Sequence, residues 1–432
     1  MTLQDIEHCG IIGAGGAGFP THIKLASQPD TVIMNAAECE PLLHKDMQIL
    51  LHHARTVING FRIVLSITGA KRGIIGIKAK HTEEIALLRS MLPGDMTIAL
   101  IDDVYPAGDE VTLIYMTTGR IVQPGALPIS VGCLVQNVET LFNIGACSPV
   151  VDKFVSVAGA VTAPATVRVP IGTSYADVLS HFTIVPERYA VRSGGLMMGM
   201  LERDLSMTVS KRTGALIVLP ADHHCITMYE RYAAPHDTIR MAKAACDQCS
   251  FCTELCPRYL LGQPVRPETA MRNRMFTREE MPMLFPGNFS CCECNLCTMY
   301  ACPEGLDPRG ATVIEKRIAR EQKIIWEGTQ QPVHPMYEYR KVPTDKLMQR
   351  LDVVRYEAEG ALTDLAIMPA EVRVRLDQHT GAPALSVVEA GTAVRRYDVI
   401  AKPGGAVSTY IHAPIDGIVR STDAKEIIIQ RT

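Results

Sequence analysis

An excess of charge of either sign is missing from this sequence. Its 43 lysines and arginines stand against 46 aspartates and glutamates, a net charge of −3. No basic surface for nucleic acid or for an anionic membrane is therefore expected. Long apolar runs are missing as well. Stretches such as 63–67 and 215–219 fall far short of the about 20 residues that a membrane helix needs. The opening MTLQDIEHCG has no basic segment leading into an apolar one, so no secretory signal is expected.

Cysteine, in contrast, is plentiful and unevenly placed. Of 14 cysteines, nine lie between 246 and 302. Such clustering points to metal rather than disulfides, and to a reducing compartment. Cys246, Cys249, Cys252 and Cys256-Pro257 form the run C-x2-C-x2-C-x3-C-P, and Cys291, Cys294, Cys297 and Cys302-Pro303 form a second. Thiolates at these spacings hold cubane iron–sulfur clusters, and a pair of runs is the two-cluster ferredoxin signature. The protein is therefore expected to move single electrons. In such pairs the fourth cysteine of each run ligates the other cluster. That rule assigns Cys246, Cys249, Cys252 and Cys302 to one [4Fe-4S] cluster, and Cys291, Cys294, Cys297 and Cys256 to the other.

The second run departs from the pattern twice. Four residues separate Cys297 from Cys302 where three are usual, and Cys292 adjoins Cys291. Cys291 keeps the two-residue spacing to Cys294, so Cys292 is expected to be a non-ligand thiol. The added residue is expected to form a small bulge before Cys302. Cys9, Cys39, Cys133, Cys147 and Cys225 lack metal spacing and read as small buried apolar residues. His223-His224-Cys225 reads as a surface loop, since adjacent histidines on an extended chain point apart.

A length of 432 residues predicts about three domains. Residues 31–35 read as a strand, 46–59 as a helix, 61–68 (FRIVLSIT) as a strand, 83–92 as a helix and 96–102 as a strand. That alternation predicts a parallel sheet covered by helices. Residues 151–235 read as strand, turn, strand, helix, strand. The proline after each run's last cysteine suits the first turn of a helix. The connector VHPMYEYRKVPTDKL is poorly patterned, and the last 60 or so residues read as short strands between turns.

The glycines of GIIGAGGAGFPT, from Gly10 to Thr21, let backbone N–H groups converge on a phosphate or a ring without Cβ obstruction. This is not a Rossmann fingerprint, because no strand precedes it and Pro20 interrupts the residues after it.

GAGGAGFPTHIK, NAAECEPLLHKD (35–46), YPAGDE (105–110) and GALPISVGCLVQNVETLFNI (125–144) together resemble a flavin-binding domain. That domain is shared by the flavin-bearing subunit of respiratory complex I and the C subunit of the Rnf electron-transport complex. The resemblance implies FMN held by Gly13, Gly15, Gly16, Gly18, Lys24 and Asn35, with Asn137 and Thr140 in a second flavin-contacting stretch. It matches Glu38 and Glu40 to an acidic pair near the NADH site. Residues 151–235 resemble the β-grasp ligand-binding module that follows, and SGGLMMG (193–199) matches its turn. The methionines there are given no chemistry.

The C-terminal stretches QHTGAPALSVVEAGTAV and IHAPIDGIV resemble a biotinyl/lipoyl-type barrel. Its tip, Pro414-Ile-Asp416-Gly417, offers no lysine for acylation. In the Rnf C subunit this module comes first; here it comes last, which resembles the soluble cobalamin reductases of propanediol-utilisation microcompartments. The expected architecture is multidomain α/β. A Rossmann-like FMN and NADH domain occupies 1–150 and a β-grasp module 151–235. A two-cluster ferredoxin-like helical segment occupies 236–325, a connector 326–365, and a barrel 366–432.

The implied activity is transfer of electrons from NADH through FMN and two clusters to cobalamin, which would reactivate the cofactor of a diol dehydratase. Cobalamin itself or a corrinoid-binding protein such as an adenosyltransferase would be the acceptor, in the cytoplasm or a microcompartment with shell proteins as neighbours. Asp377-Gln-His379-Thr-Gly381 approaches the Asp-x-His-x-x-Gly corrinoid motif, but its glycine is one position early and it is read as unrelated. Two other functions fit the motifs. One is the NADH-oxidising C subunit of an Rnf-type membrane complex, and the other is an electron-transfer docking module without its own dinucleotide site.

Overall fold

A computed structural model describes residues 1–233, 241–276 and 284–432. After α1 (Leu3–His8) and α2 (Thr21–Leu25) comes a parallel sheet of β1 (Thr31–Ala36), β2 (Arg72–Lys78), β3 (Met96–Ile101) and β5 (Cys133–Asn137). The short β4 (Val104–Tyr105) lies outside it. Its helices are α3 (Lys45–Thr68), α4 (Thr82–Arg89), α5 (Glu110–Thr118) and α6 (Val138–Ala146). Alternate strand residues serve opposite faces, as a pleated strand requires. Val32, Met34, Ile75 and Ile77 pack with α3, α4 and α6. Ile33 and Ile74 pack with Val111, Leu113 and Ile114 of α5.

Residues 61–68, expected as a strand, are instead the second half of the 24-residue α3. Phe61, Val64, Leu65 and Thr68 are buried, at the i, i+3, i+4, i+7 spacing of one helix face. The helical period therefore overrides their β-branched composition. The strand is the following segment, RGIIGIK, buried along all but its first residue. Helix α3 lies unusually close to α6. A Cβ on Gly60 would stand 1.9 Å from the Leu141 carbonyl oxygen, and one on Gly145 would stand 1.9 Å from that of Thr56.

The sheet order is β3-β2-β1-β5. Connections from β1 run one way to β2 and β3, and β5 is added on the other side. The direction reverses between β1 and β5, where ligands of open α/β sheets bind at the strands' C-terminal ends. Asn35 of β1 and Asn137 of β5 are register partners at that edge.

A mixed sheet follows, ordered β12-β7-β6-β10-β8-β9. Its members are β6 (Asp152–Gly159), β7 (Ala165–Pro170), β8 (Tyr189–Ser193), β9 (Met200–Glu202), β10 (Ala215–Pro220) and β12 (Leu362–Thr363). The antiparallel pair β6 and β7, the helix α7 (Tyr175–Leu179) and β10 parallel to β6 make the strand–turn–strand–helix–strand order read from sequence. Helix α8 (His224–Tyr232) then leads toward the cysteine-rich segment. The connector has more structure than its patterning suggested. Its β11 (Val342–Pro343) pairs with β4, and β12 extends the mixed sheet. The C-terminal strands form a four-stranded and a three-stranded sheet around one core, which includes Val372, Val374, Ile400, Ile411, Val419 and Ile429. Among the described residues no helix is long and apolar enough to cross a membrane.

The contact between α3 and α6 generates a prediction. Gly145→Ala adds a methyl where a backbone oxygen already stands, so overpacking should cost about 1–3 kcal/mol. That exceeds the roughly 1 kcal/mol by which alanine favours a helix over glycine. A lowered urea midpoint is expected, and an unchanged or raised midpoint would contradict the packing described.

Candidate functional site

The reversal between β1 and β5 forms a crevice whose walls carry most of the expected flavin residues. Asn35 donates from Nδ2 to the Gly108 carbonyl at 2.9 Å, and its Oδ1 accepts from Ala37 N at 3.2 Å. Asn137 caps α6, accepting from Glu139 N at 3.0 Å and donating to Asp46 Oδ2 at 2.6 Å. The glycine loop closes on itself through Gly13 N to Phe19 O at 2.9 Å and Gly18 N to Gly13 O at 3.2 Å. The Ala14 amide donates to Thr140 Oγ1 at 2.9 Å. A Cβ on Gly15 would lie 3.5 Å from the Asn137 Cβ, so the loop lies directly over that asparagine. Lys24 pairs with Glu110 at 2.7 Å, joining the loop side of the site to α5.

Gly15, Gly16 and Ala17 are exposed. Among the described residues their three successive amides have no hydrogen-bond partner. Consecutive free N–H groups form a nest for anionic or acceptor atoms. With Gly16 and Gly18 at φ +108° and +69°, the loop needs glycine to hold this shape. These features fit FMN, whose phosphate and ring acceptors suit free amides.

Beneath the loop lies a buried ion network. Glu139 accepts from Lys45 at 2.7 Å, from Lys153 in a shorter contact, and from Phe154 N at 3.2 Å. Lys45 also pairs with Asp46 at 2.7 Å, and Lys153 donates to the Ala14 carbonyl at 3.4 Å. Burial alone would favour a neutral Glu139, but Lys153 and Lys45 hold its carboxyl below the usual range. Burial lowers the Lys153 ammonium to about 8.

Glu38 and Glu40 are half-buried at the crevice edge. Glu38 accepts from Asp46 N at 3.0 Å, at the start of α3. Burial and the Asp46 charge raise its carboxyl to about 7. Glu40 accepts from Met197 N at 2.8 Å and Met198 N at 2.9 Å. It therefore ties the glycine-and-methionine turn to the flavin crevice. Burial raises its carboxyl too.

Cys246, Cys249, Cys252 and Cys302 line a single cavity, the same four that the crossed-ligand rule groups together. Among the described residues no three donor side chains converge on one point as a single metal ion requires. The four thiols line a shared space at cluster spacing, which fits a [4Fe-4S] cluster. Cys256, Cys291, Cys294 and Cys297 form the other group. Cys294 lies within electrostatic reach of Cys292, Cys256 and Cys297, and Cys297 within reach of Cys291, Cys256 and also Cys252 of the first group. Burial pushes the Cys252 and Cys291 thiols up to about 12, so taking up a cluster must displace protons.

The backbone repeats between the runs. Gln248 and Ser250 flank Cys249 with positive φ, and Glu293 and Asn295 flank Cys294 in the same way. Cys291 therefore holds the place of Cys246. Glu293 N donates to its Sγ at 3.3 Å, and Leu306 N donates to that of Cys302 at 3.3 Å. The Cys294 thiol donates a hydrogen bond to that of Cys292, which lies near Asp109 and Arg258. Residues Cys297–Ala301 form a π-helical turn, which takes up one extra residue; this is the expected bulge. A helix begins at Pro257, but after Cys302 the next helix begins at Pro308 rather than Pro303.

The two regions touch. Tyr105 donates its hydroxyl to the Cys294 carbonyl at 2.6 Å, and Arg258 pairs with Asp109 at 2.6 Å. Neither Tyr105, Lys153 nor the crevice role of Asp46 was singled out from sequence. A lysine inside strand β6, which is buried beyond its first residue, was the available signal, since lysine is rarely buried unless paired.

Three other readings change. His223 is not in a surface loop: it is buried as the N-cap of α8, and its Nδ1 accepts from Cys225 N at 3.2 Å. Cys147 is exposed as the left-handed C-cap of α6, unlike buried Cys9, Cys133 and Cys225. Cys39 is half-buried and accepts from Gly108 N at 3.4 Å.

Residues 6–146 match the Nuo51 FMN-binding domain family, 245–307 a 4Fe-4S dicluster domain and 355–431 the RnfC barrel sandwich hybrid domain. The chain is 38% identical to cobalamin reductase PduS of Salmonella typhimurium, covering 99% of this chain and 96% of that one. It is likewise 38% identical to the Citrobacter freundii PduS, covering 100% and 97%. The C subunit of the proton-translocating ferredoxin:NAD(+) oxidoreductase complex of Clostridium ljungdahlii is 30% identical over 60% of this chain and 56% of that one. With its flavin crevice, its paired cysteine groups and its C-terminal barrel in the same order along nearly the full length, the chain belongs to the PduS cobalamin reductase family.

Proposed function

We propose that this chain transfers electrons from NADH to cobalamin. FMN would lie in the crevice and two [4Fe-4S] clusters in the cysteine groups. FMN would be held by Gly13, Gly15, Gly16, Gly18, Lys24, Asn35, Asn137 and Thr140. One cluster would be held by Cys246, Cys249, Cys252 and Cys302, the other by Cys256, Cys291, Cys294 and Cys297. When bound, a flavin accepts two electrons as hydride and releases them singly, which suits it to stand between a nicotinamide and iron–sulfur clusters.

The observation that carries this reading is the direct contact between crevice and cysteine groups through Tyr105–Cys294 and Asp109–Arg258. The protein's own work is positioning. The ion network fixes the loop over Asn137, and backbone N–H groups aimed at Cys291 and Cys302 stabilise charged sulfur. The acceptor would be cobalamin, free or carried by an adenosyltransferase, inside a microcompartment with shell proteins as neighbours. The separation of FMN domain and β-grasp module near residue 150 belongs to the same proposal.

Flavin, cluster and dinucleotide sites can each be tested separately. Gly16→Val places a β-branched residue at φ +108°, a conformation that favours glycine. The purified variant should lose flavin and keep its iron; full flavin occupancy would remove the loop from the site. Cys292→Ser should retain eight irons per chain (two clusters of four), and Cys291→Ser should lose or convert one cluster. The reverse pattern by iron analysis and EPR would exchange the two cysteines. NADH should be preferred over NADPH, whose extra phosphate meets Glu38 and Glu40. Because Glu38 ionises near 7, the preference should grow from pH 6 to pH 8. Glu38→Gln should flatten that rise. A pH-independent ratio in the unmodified protein would place Glu38 away from the dinucleotide.

A further inference from the structure

The glycine loop is also gripped from outside the flavin domain, by residues that electron transfer leaves unused. Four of its carbonyls accept from two distant segments. Lys211 Nζ donates to Gly10 O at 2.6 Å and Arg212 Nε to Gly16 O at 3.1 Å. Thr380 donates from Oγ1 to Ala17 O at 2.7 Å and from its backbone amide to Gly18 O at 2.9 Å. The first segment leads into β10; the second is the DQHTG loop of the barrel.

The two segments are fixed to one another. Lys211 N donates to Gln378 Oε1 at 2.9 Å, and Lys211 Nζ reaches Tyr410 O at 3.1 Å. The barrel loop is held in shape by the buried His379, whose Nε2 lies 2.8 Å from Ser408 Oγ and 3.0 Å from Ala382 O. Thr409 Oγ1 donates to Glu7 O at 2.9 Å, on α1 before the loop. The loop's hinges fit the same side chains. A Cβ on Gly10 would lie 2.5 Å from Lys211 Nζ, and one on Gly18 would lie 2.9 Å from Arg212 Cδ.

A glycine-rich loop loses much conformational freedom when it orders. If a ligand alone ordered it, that loss would be subtracted from binding. Here the carbonyls of Gly16, Ala17 and Gly18 are occupied by external donors, while among the described residues nothing bonds the amides of Gly15, Gly16 and Ala17, which leaves them to a ligand. We propose that residues 210–213 and the barrel loop 377–381 form a clamp that preorganises the flavin-binding loop, with Arg212 and Thr380 as positioning residues. The proposal rests on the assignment of FMN to that loop. It gives the C-terminal barrel a role that needs no acyl group, and it gives the DQHTG segment one that needs no corrinoid.

The test is FMN titration of the full-length protein after removal of its flavin, read by quenching of flavin fluorescence and by visible circular dichroism of the bound flavin. Thr380→Val and Arg212→Met should each raise the Kd about five- to tenfold, as loss of one hydrogen bond implies, the Thr380 backbone amide keeping its bond to Gly18. Thr380→Ser keeps the hydroxyl and should bind within about twofold of the unmodified protein, with the same dichroism. Wild-type affinity in both Thr380→Val and Arg212→Met would overturn the clamp. If Thr380→Val fails to fold, Arg212→Met, which lies outside the barrel, decides alone. Failure of the unmodified protein to take up FMN would remove the functional reading itself, and the clamp with it.

Discussion

Glu139 is the point on which the flavin side of this molecule depends. It is 1% exposed, and two ammonium groups converge on it from different parts of the chain. Removing one partner from a buried ionic group costs about 3–5 kcal/mol, because the remaining charge stays out of water. The start of α3, the start of α6, strand β6 and the glycine loop must therefore come together for all of these groups to be satisfied. Lys45 arrives from α3 and Lys153 from β6, and Lys153 also reaches the Ala14 carbonyl. Through that bond the module after the flavin domain becomes part of the flavin loop's foundation. Thr140, one residue beyond Glu139, holds the Ala14 amide from the other side.

The second dependence is contact between two kinds of structure. A parallel sheet supplies the crevice, and an irregular segment supplies the thiols. They meet through the Tyr105 hydroxyl and the Asp109–Arg258 pair. The connector reinforces that junction, since β11 pairs with the strand that carries Tyr105. Electron transfer asks little of acid–base chemistry and much of fixed spacing. Buried bonds between regions distant in sequence are the means by which this chain supplies it.

Much of this was legible in the sequence, for reasons that can be named. The cysteine spacings encode a local backbone, so the grouping of Cys302 with Cys246, Cys249 and Cys252 could be anticipated before the cavity they line was seen. A bulge before Cys302 followed from counting one residue too many, and it takes the form of a π turn. The glycines of the loop stood out because few other functions demand them. The hidden features depended on tertiary context. Residues 61–68 look like a strand by composition, and only packing against the sheet reveals their helical face. His223 looked exposed because its cap role needs a helix that begins after it. Lys153, Arg212 and Thr380 act on a loop more than a hundred residues away, and no local pattern announces such a partner.

The proposed function requires one chain to hold a flavin that NADH can reduce and clusters that the flavin can reach. Anaerobic stopped-flow mixing of the purified, fully loaded protein with NADH, followed by freeze-quench EPR, tests it most directly. Rapid bleaching of the flavin absorbance is expected, then reduced iron–sulfur signals, then reduction of added cobalamin. A flavin and clusters that stay oxidised under NADH, yet are reduced by dithionite, would contradict it. That result would leave a docking module fed by another flavoprotein.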